Sequence, residues 1–302
     1  MLPAQPVDDP GEMGKDTAVL LERIDELPPL PAVAARIMAL ADDETTSALD
    51  LAQVLSTDQA LTAKLIRISN SAYYGFARKV STVREAVVVL GFKQVRQMAV
   101  GASLMNAFSR HYEGGGDFDL DLFWGHSVAV AVASESIAKK TRAARGEDAF
   151  TAGILHDIGR LVIRMTMPRE FEEAVRMART GQVSLHQAEL EITGYDHQAV
   201  GLALGERWKF PSHLVDAVAD HHDESRTPSP DGLAGVVAQA NRLVLYYGLF
   251  CGYDAPGYDP GPMPPDLAFY EQMCGGIDRV LERAFAFIES ASGTPQRWFD
   301  AA

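Results

Sequence analysis

The sequence has little cysteine, a shortage of basic residues and no long apolar run. Two cysteines in 302 residues, Cys251 and Cys274, cannot build a disulfide framework or a zinc site of four thiolates. Lysine and arginine number 27 against 41 acidic residues, which gives a formal net charge of -14. Such a chain lacks the positive surface that drives binding to nucleic acid backbones or anionic membranes. We therefore predict no direct nucleic acid partner and no membrane partner.

The sequence also lacks the segments that carry proteins into or across a membrane. Residues 1–9 have neither a basic start nor an apolar block, so we predict no secretory signal. The longest apolar run, from Leu243 to Tyr253, is about half of the roughly 20 residues that a membrane helix needs. These two features predict a cytoplasmic protein.

Helical periodicity extends along almost the whole chain. Apolar residues recur at spacings of three and four, as in Val33, Ile37 and Leu40. Thr82 and Glu85 form the pattern of a capping box just before such a stripe. The β-branched runs at 87–89 and 128–132 are embedded in longer helical patterns. The sequence therefore predicts an all-α fold.

Glycine and proline clusters divide this helical pattern, most clearly at Gly114–Gly116. The segments on either side of that break read as two helical subdomains, the second with a single helix over 147–165. We predict, in chain order, a disordered lead-in, an N-terminal helical subdomain, a second helical subdomain, a Pro/Gly loop and a C-terminal helix: 1–18, 19–113, 117–250, 251–266 and 267–290.

The histidines are confined to one part of the chain, since all eight lie after residue 110. His156 and Asp157 are adjacent within an apolar helical pattern. Neighbouring side chains on a helix diverge by about 100°. The pair therefore needs two separate partners, or one metal ion at a distorted turn.

Several segments resemble a known family. Leu-His-Asp-Ile-Gly at 155–159 resembles the signature of the HD superfamily of metal-dependent phosphohydrolases, and Trp-Gly-His at 124–126 resembles its first histidine ligand. Over about residues 20–220 the chain is similar to one branch, the HDOD domain (HD-related output domain) of bacterial signalling proteins. The segments that carry this similarity are Leu27–Pro31, Val54–Asp58, Leu65–Ser71, Thr82–Ala86 and Leu90–Gly91. The resemblance implies a multi-helix HD-like bundle with an N-terminal helical subdomain.

Later positions resemble the related HD-GYP phosphodiesterases, which hydrolyse cyclic di-GMP. Asp196–Gly201 is similar to the stretch that holds their middle histidine, and the pair at 221–222 is similar to their paired histidines. Imidazoles and carboxylates suit Fe, Mn, Zn or Ni. The resemblance therefore implies a divalent transition metal held by His126, His156, Asp157, His197, His221 and His222.

Three departures from the hydrolase pattern argue against efficient turnover. The superfamily's closing aspartate aligns with Asn241, whose amide brings no negative charge. The lysine that often follows the signature is Arg160, which cannot donate a proton at neutral pH. His222 is followed by Asp223 and not by a Gly-Tyr-Pro element. Arg160 and Asn241 stay candidates for ligand contacts, and we assign no catalytic residue.

These observations predict a bacterial signalling or regulatory module that acts through a protein partner. It is non-catalytic or vestigially catalytic, with a degenerate HD site suited to sensing a metal, a nucleotide or a cyclic dinucleotide. The alternative is a metal-dependent phosphohydrolase acting on a nucleotide or a cyclic dinucleotide. The metal-free alternative is a buried polar network in which Asp157 accepts from His126 and Asn241 satisfies what remains.

One dense basic cluster stands apart from the histidines. It runs from Lys139 to Arg145 and contains four basic residues, Lys139, Lys140, Arg142 and Arg145. The cluster fits either a solvated helix end, where cations favour the C-terminal dipole, or a contact with a nucleotide phosphate.

Overall fold

The computed structural model describes residues 29–40, 47–71, 79–111, 116–180, 183–222, 231–255 and 258–292, together with Glu22, Ile24 and Leu27. The predicted lead-in at 1–18 lies outside these residues. No strand occurs in the described part of the chain, so the predicted all-α fold is confirmed.

The first helices are α1 (Ala32–Ala39), α2 (Ala48–Ser56), α3 (Gln59–Ser69), α4 (Val83–Leu90) and α5 (Phe92–His111). The remaining helices are α6 (Leu120–Thr141), α7 (Gly146–Leu155), α8 (Ile158–Thr166), α9 (Pro168–Arg179), α10 (Leu185–Thr193), α11 (His197–Arg207), α12 (Ser212–Asp220), α13 (Gly232–Tyr246), α14 (Pro265–Cys274) and α15 (Ile277–Ser292).

Side-chain caps fix where the N-terminal helices begin. Ser47 accepts from the backbone N–H of Asp50, whose carboxylate accepts from the backbone N–H of Ser47, and α2 starts there. Thr82 caps α4 in the predicted way by accepting from the backbone N–H of Glu85. The Glu85 carboxylate reaches one residue further back and accepts from the backbone N–H of Ser81. These caps replace hydrogen bonds that the first turn of a helix otherwise lacks.

Helix α6 is the central element of the bundle. It is buried along most of its length and packs against α7, α13 and α15. Helix α8 packs against α11, which in turn packs against α12. The buried apolar side chains of all these helices form one continuous cluster. None of the described helices is both long and apolar enough to span a bilayer.

Two predicted helices are each broken in the structure. The single helix predicted over 147–165 is corrected to α7 and α8, because Asp157 leaves the helical region with φ -101° and ψ 10°. The C-terminal helix predicted over 267–290 is likewise two helices, separated by Gly275 and Gly276, which have φ values of 82° and 91°. Glycine adopts such positive φ values at little cost. The first break places His156 and Asp157 in a turn between two helices. A distorted turn was one of the two arrangements that the adjacent His-Asp pair predicted.

Two glycines allow the helices around this turn to approach closely. A Cβ atom on Gly153 would lie 2.5 Å from the Cα atom of Ala131, where α7 crosses α6. A Cβ atom on Gly159 would lie 2.0 Å from the backbone oxygen of His197, where α8 meets the start of α11. Both neighbours are backbone atoms, which cannot move aside as a side-chain end can. Glycine at these positions therefore brings His156 close to α6 and Asp157 close to α11.

We expect Gly159→Ala to destabilise the fold by about 2–3 kcal/mol, because the added methyl group must push α8 and α11 apart. Urea unfolding followed by circular dichroism measures this loss. Gly146→Ala is the matched control, since the nearest atoms to its Cβ atom would belong to side chains, those of Lys139 at 3.0 Å and Glu135 at 3.5 Å. That variant should stay within about 1 kcal/mol of the wild type. Equal effects from the two variants would contradict the close approach of α8 and α11.

Candidate metal centre

Six residues predicted as metal ligands from the sequence meet in the structure. They form two groups, His126–His156–Asp157 and Asp157–His197–His221–His222, and within each group one donor atom per residue lies within 4.8 Å of the others. His126 comes from the second turn of α6, whereas the other five lie at helix ends or in the turns next to them. Asp157 belongs to both groups. One carboxylate shared by two sets of imidazoles is thus built from four separate segments of the chain.

The first group holds its two imidazoles edge to edge. The Nε2 atoms of His126 and His156 are 3.2 Å apart, and each lies within 3.4 Å of Oδ2 of Asp157. The far nitrogens of both rings are engaged: Nδ1 of His126 is 2.7 Å from the carbonyl oxygen of Leu249, and Nδ1 of His156 is 2.8 Å from that of Gly153.

The second group is built in the same way. Nε2 of His197 is 3.2 Å from Nε2 of His221 and 3.1 Å from Nε2 of His222. Oδ1 of Asp157 lies 3.1 Å from His197 Nε2 and 3.6 Å from His221 Nε2. On the far sides of the rings, Nδ1 of His221 is 2.8 Å from the carbonyl oxygen of Val218, and Nδ1 of His197 is 2.5 Å from Oε2 of Glu189.

These contacts assign the protons on four of the rings. A carbonyl or carboxylate oxygen can only accept, so Nδ1 is the donor in His126, His156, His197 and His221. In a neutral ring the proton on Nδ1 leaves a lone pair on Nε2. The Nε2 lone pairs of His126 and His156 therefore face each other, and the Nε2 lone pair of His221 faces Nε2 of His197. Such an arrangement needs a cation between the facing atoms. It also matches the usual environment of metal-bound histidine, whose second nitrogen donates to a carbonyl or carboxylate.

The two oxygens of Asp157 differ in what they contact. Oδ2 is in close contact with Nη1 of Arg160. Oδ1 is buried and makes no hydrogen bond of acceptable geometry, although His197 Nε2 is nearby. Asp157 is also the N-cap residue of α8, yet its side chain does not cap the helix. The carboxylate is thus directed toward the imidazoles, with one oxygen open to a cation.

Glu189, which the sequence analysis missed, supports both His197 and Arg160. Its side chain is fully buried; Oε2 accepts from His197, and Oε1 lies 2.7 Å from Nε of Arg160. Burial raises the pKa of the Glu189 carboxyl, but His197 and Arg160 outweigh burial and leave that pKa below its ordinary value. The position has the helical spacing of a core residue and lies eight residues before His197. In the sequence, the sign that could have identified Glu189 as a site residue is its charge on the apolar face of α10.

Charges within the cluster balance internally. Burial raises the pKa of Asp157, yet Arg160, His156 and His197 together hold it well below its ordinary value. Burial and Arg160 lower the pKa of His197, but Glu189 and Asp157 leave it raised overall. Two carboxylates thus face Arg160 and one imidazole whose protonated form is favoured. This balance makes it possible to bury so many ionisable groups together.

Three imidazoles of the cluster, those of His126, His221 and His222, favour the neutral state. Burial is the largest cause for all three: it lowers the pKa of His126, lowers that of His221 to about 3, and lowers that of His222 further. Neutral imidazole is the form that binds metal ions. His126 therefore has no proton on Nε2 to give Asp157, which removes the donor that the metal-free network required.

Three further residues complete the description. Asn241 is buried on α13, and its Oδ1 has no hydrogen-bond partner among the described residues, so its role as a closing ligand stays a prediction. His186, which we did not predict, forms a third possible ligand group with Glu189 and His197. Cys251 is buried beside Asp157 and Arg160, and burial raises the pKa of its thiol well above the ordinary value. A raised pKa disfavours the thiolate form that binds metal.

Comparisons with known proteins agree with this architecture. The family model for the HDOD domain matches residues 27–224, so the chain belongs to the HDOD domain family. The predicted family membership is confirmed. A curated relative, an uncharacterized protein of Treponema pallidum (strain Nichols), is 23% identical over 236 residues, which are 77% of this chain and 45% of that protein. The chain therefore spans less than half the length of this relative.

Two solved structures resemble the chain over nearly its full length. An HDOD domain protein with unknown function from Geobacter sulfurreducens is 26% identical, with a TM-score of 0.72, covering 94% of this chain and 98% of that one. A Shewanella amazonensis SB2B protein named as a candidate phosphohydrolase is 27% identical, with a TM-score of 0.67, covering 91% and 97%. A candidate signal transduction protein of Marinobacter aquaeolei VT8, 23% identical with a TM-score of 0.68 over 96% and 67%, shares the fold. The bundle is thus an HDOD bundle, and its relatives carry both signalling and hydrolase names.

Proposed function

We propose that this chain is a bacterial signalling module that acts through protein contacts and holds a divalent transition metal in its His-Asp cluster. The observation that carries the proposal is the close approach of imidazole Nε2 atoms, which lie 3.1–3.2 Å from one another in both ligand groups. A single protonated His197 can satisfy only one neighbour at a time, and burial disfavours a proton on His126. A metal ion satisfies several lone pairs at once, which a proton cannot do.

The second group is the stronger of the two sites. It offers four ligands, the imidazoles of His197, His221 and His222 and Oδ1 of Asp157, which no hydrogen bond engages. The first group has only three such ligands, and its carboxylate oxygen is shared with Arg160. Three imidazoles and one carboxylate suit Zn, Fe, Mn or Ni. We infer that the first ion to bind occupies the second group.

Burial favours a regulatory or structural role for this metal. His126, His156, Asp157, His197 and His221 are each at most 2% exposed. Arg160, at the place of a lysine in related hydrolases, is held between Asp157 and Glu189, so two carboxylates already engage its guanidinium. A phosphoester would have to compete with these carboxylates for Arg160. Such an ion stabilises one arrangement of the helices, and that arrangement sets the surface offered to a partner protein.

The second candidate function is metal-dependent hydrolysis of a phosphodiester such as a nucleotide or a cyclic dinucleotide. Asp157 belongs to both ligand groups, so its carboxylate would contribute to holding a metal ion in either of them. Metal ions held there would supply activation of water and neutralisation of phosphate charge. The Shewanella relative named as a candidate phosphohydrolase adds weight to this alternative.

We expect the protein purified without chelator to contain about one transition metal ion per chain, measured by plasma mass spectrometry. His221→Ala should reduce this content at least tenfold, because it removes one of four ligands. His213→Ala is the matched control: this imidazole is 46% exposed and lies outside both ligand groups, so the metal content should not change.

Hydrolysis assays on the same purified protein distinguish the non-catalytic signalling module from the phosphohydrolase. Hydrolysis of bis(p-nitrophenyl) phosphate or cyclic di-GMP that depends on His221 would favour the phosphohydrolase over the non-catalytic module. If the purified protein contains no metal and is nevertheless stably folded, both the metal-holding module and the phosphohydrolase are contradicted. Asn241→Asp should increase the metal content toward two ions per chain if this position closes the first group. An unchanged content would remove Asn241 from the site.

A further inference from the structure

His186 has one part of its ring in solvent and another part against the second ligand group. Five of the six predicted ligands are at most 2% exposed and present almost no surface to solvent, and the sixth, His222, is partly buried. The ring of His186 lies against that of His222, with ring centroids 4.9 Å apart, and against that of His197, with centroids 5.4 Å apart. The His186 side chain itself is 27% exposed. An imidazole that is not among the predicted ligands thus connects solvent to the second ligand group.

His186 also has a nitrogen atom that a cation could use. Its Nδ1 is buried and has no hydrogen-bond partner among the described residues. Its Nε2 lies 4.0 Å from Oδ2 of Asp196, a carboxylate that is 23% exposed. The carboxylate favours the ring tautomer that carries its proton on Nε2, and this tautomer leaves a lone pair on Nδ1. A buried lone pair without a donor is costly, and a metal ion would satisfy it.

The contacts around His186 disfavour a permanent third ion. His186, Glu189 and His197 each place one donor atom within 4.8 Å of the others. However, Nδ1 of His197 donates to Oε2 of Glu189, whose Oε1 accepts from Arg160. A resident ion would have to displace these contacts and would compete for the same ring of His197 that the second group uses through Nε2. His186 is therefore suited to hold an ion only in passing.

A metal ion needs such a residue on its way into a buried site. A hydrated divalent ion cannot cross an apolar wall without ligands that replace its water molecules, because the loss of solvation is too costly. His186 and His222 offer two imidazoles in succession, the first of them beside the negative charge of Asp196. We infer that His186 is the entry ligand of the metal centre, which binds the incoming ion at the solvent side and passes it to His222. This inference rests on the proposed function, since it requires an ion in the second group.

The rates of cobalt uptake and release test this role. Stopped-flow mixing of the chelator-treated full chain with Co²⁺ measures uptake through the visible absorption of bound cobalt, and mixing of the loaded chain with excess chelator measures release. His186→Leu keeps a side chain of similar bulk and removes both ring nitrogens. It should slow uptake and release alike by about tenfold, or about 1.4 kcal/mol in the barrier. The Kd for cobalt should stay within about twofold of the wild type, because a residue used only in passing changes rates and not the equilibrium.

His213→Leu is the matched control, since this imidazole is 46% exposed and lies outside the ligand groups. Both of its rates should equal those of the wild type. Circular dichroism verifies that the variants are folded. His186→Asn, which keeps a polar side chain of smaller size, is the second variant at the same position and should also slow uptake and release alike.

Asp196 allows an independent test of the entrance. Its Oδ1 accepts from the backbone N–H of Ala199 and caps α11. Asparagine caps helices about as well as aspartate, so Asp196→Asn removes the charge and keeps the cap. This variant should slow cobalt uptake about threefold at low salt and match the wild type in about 0.5 M salt, because salt screens exposed charges. Equal uptake by this variant and the wild type at low salt would contradict an entrance beside Asp196.

Two results would overturn the entry role and leave the proposed function intact. One is cobalt uptake in His186→Leu that is as fast as in the wild type or faster, which would make His186 only a cover over the site. The other is a Kd for cobalt that His186→Leu raises at least tenfold, which would make His186 a permanent ligand. A wild type that binds no cobalt at all would overturn the proposed function together with the entry role.

Discussion

Asp157→Asn is expected to lose its metal and to unfold more easily by about 3–5 kcal/mol, the usual cost of removing one partner from a buried ion pair. The substitution keeps the shape of the side chain and removes only its charge. Arg160 then depends on Glu189 alone, and the imidazole of His197 loses one of the two carboxylates that favour its protonated form. Both ligand groups also lose their shared oxygen donor. Urea unfolding and metal analysis measure the two effects.

The matched control is Asp216→Asn, which removes the same charge from an exposed position on α12. Surface substitutions of this kind usually change the free energy of unfolding by less than about 0.5 kcal/mol. The chelator-treated wild type separates the two contributions of Asp157, because it lacks the metal but keeps the ion pair with Arg160. If Asp157→Asn were as stable as this metal-free wild type, the buried ion pair would contribute nothing of its own.

Much of the fold could be predicted because the helical signals are local. Apolar spacing and the Thr82 cap are properties of short segments, and the structure retains them. The breaks in the helices were harder to predict. Asp157 leaves the helical region although the apolar helical pattern continues on both sides of it, because its side chain is directed toward imidazoles on other helices. Tertiary contacts override local propensity at such positions.

Only those site residues that lie in a recognisable sequence motif could be predicted. His126, His156, Asp157 and the later histidines were identified because the family resemblance fixes their positions. Glu189 has no such pattern, and its function appears only when α10 packs beside the start of α11. The protons on the rings depend on carbonyl oxygens such as that of Leu249, 123 positions from His126. No spacing in the sequence encodes a contact of that range.

Acidification is expected to destabilise the protein strongly in the window just below neutral pH. Burial depresses the pKa of His126, His221 and His222 below the value of 6.5 that the unfolded chain has. Below pH 6.5 the unfolded state therefore binds more protons than the folded state, and stability falls as the pH falls. For three imidazoles the loss between pH 7.0 and 5.5 is about 4 kcal/mol, from roughly 1.4 kcal/mol per proton and pH unit. His197 has the opposite sign: its raised pKa contributes stability that is complete below pH 6.5 and is lost above its folded pKa.

Urea unfolding of chelator-treated protein across this pH range measures the loss without the contribution of metal release. His222→Gln should reduce it by about one third, because one of the three imidazoles no longer titrates on unfolding. His213→Gln, at the exposed imidazole outside the cluster, should leave the pH dependence unchanged.

The metal-loaded protein should lose stability more steeply as the pH falls, since protons compete with the ion for the same Nε2 lone pairs. Below about pH 4 a further decline should follow, because the depressed pKa values of Asp157 and Glu189 contribute stability only while the unfolded carboxylates are ionised. Stability that is constant or rises between pH 7.0 and 5.5 would contradict a cluster of buried neutral imidazoles.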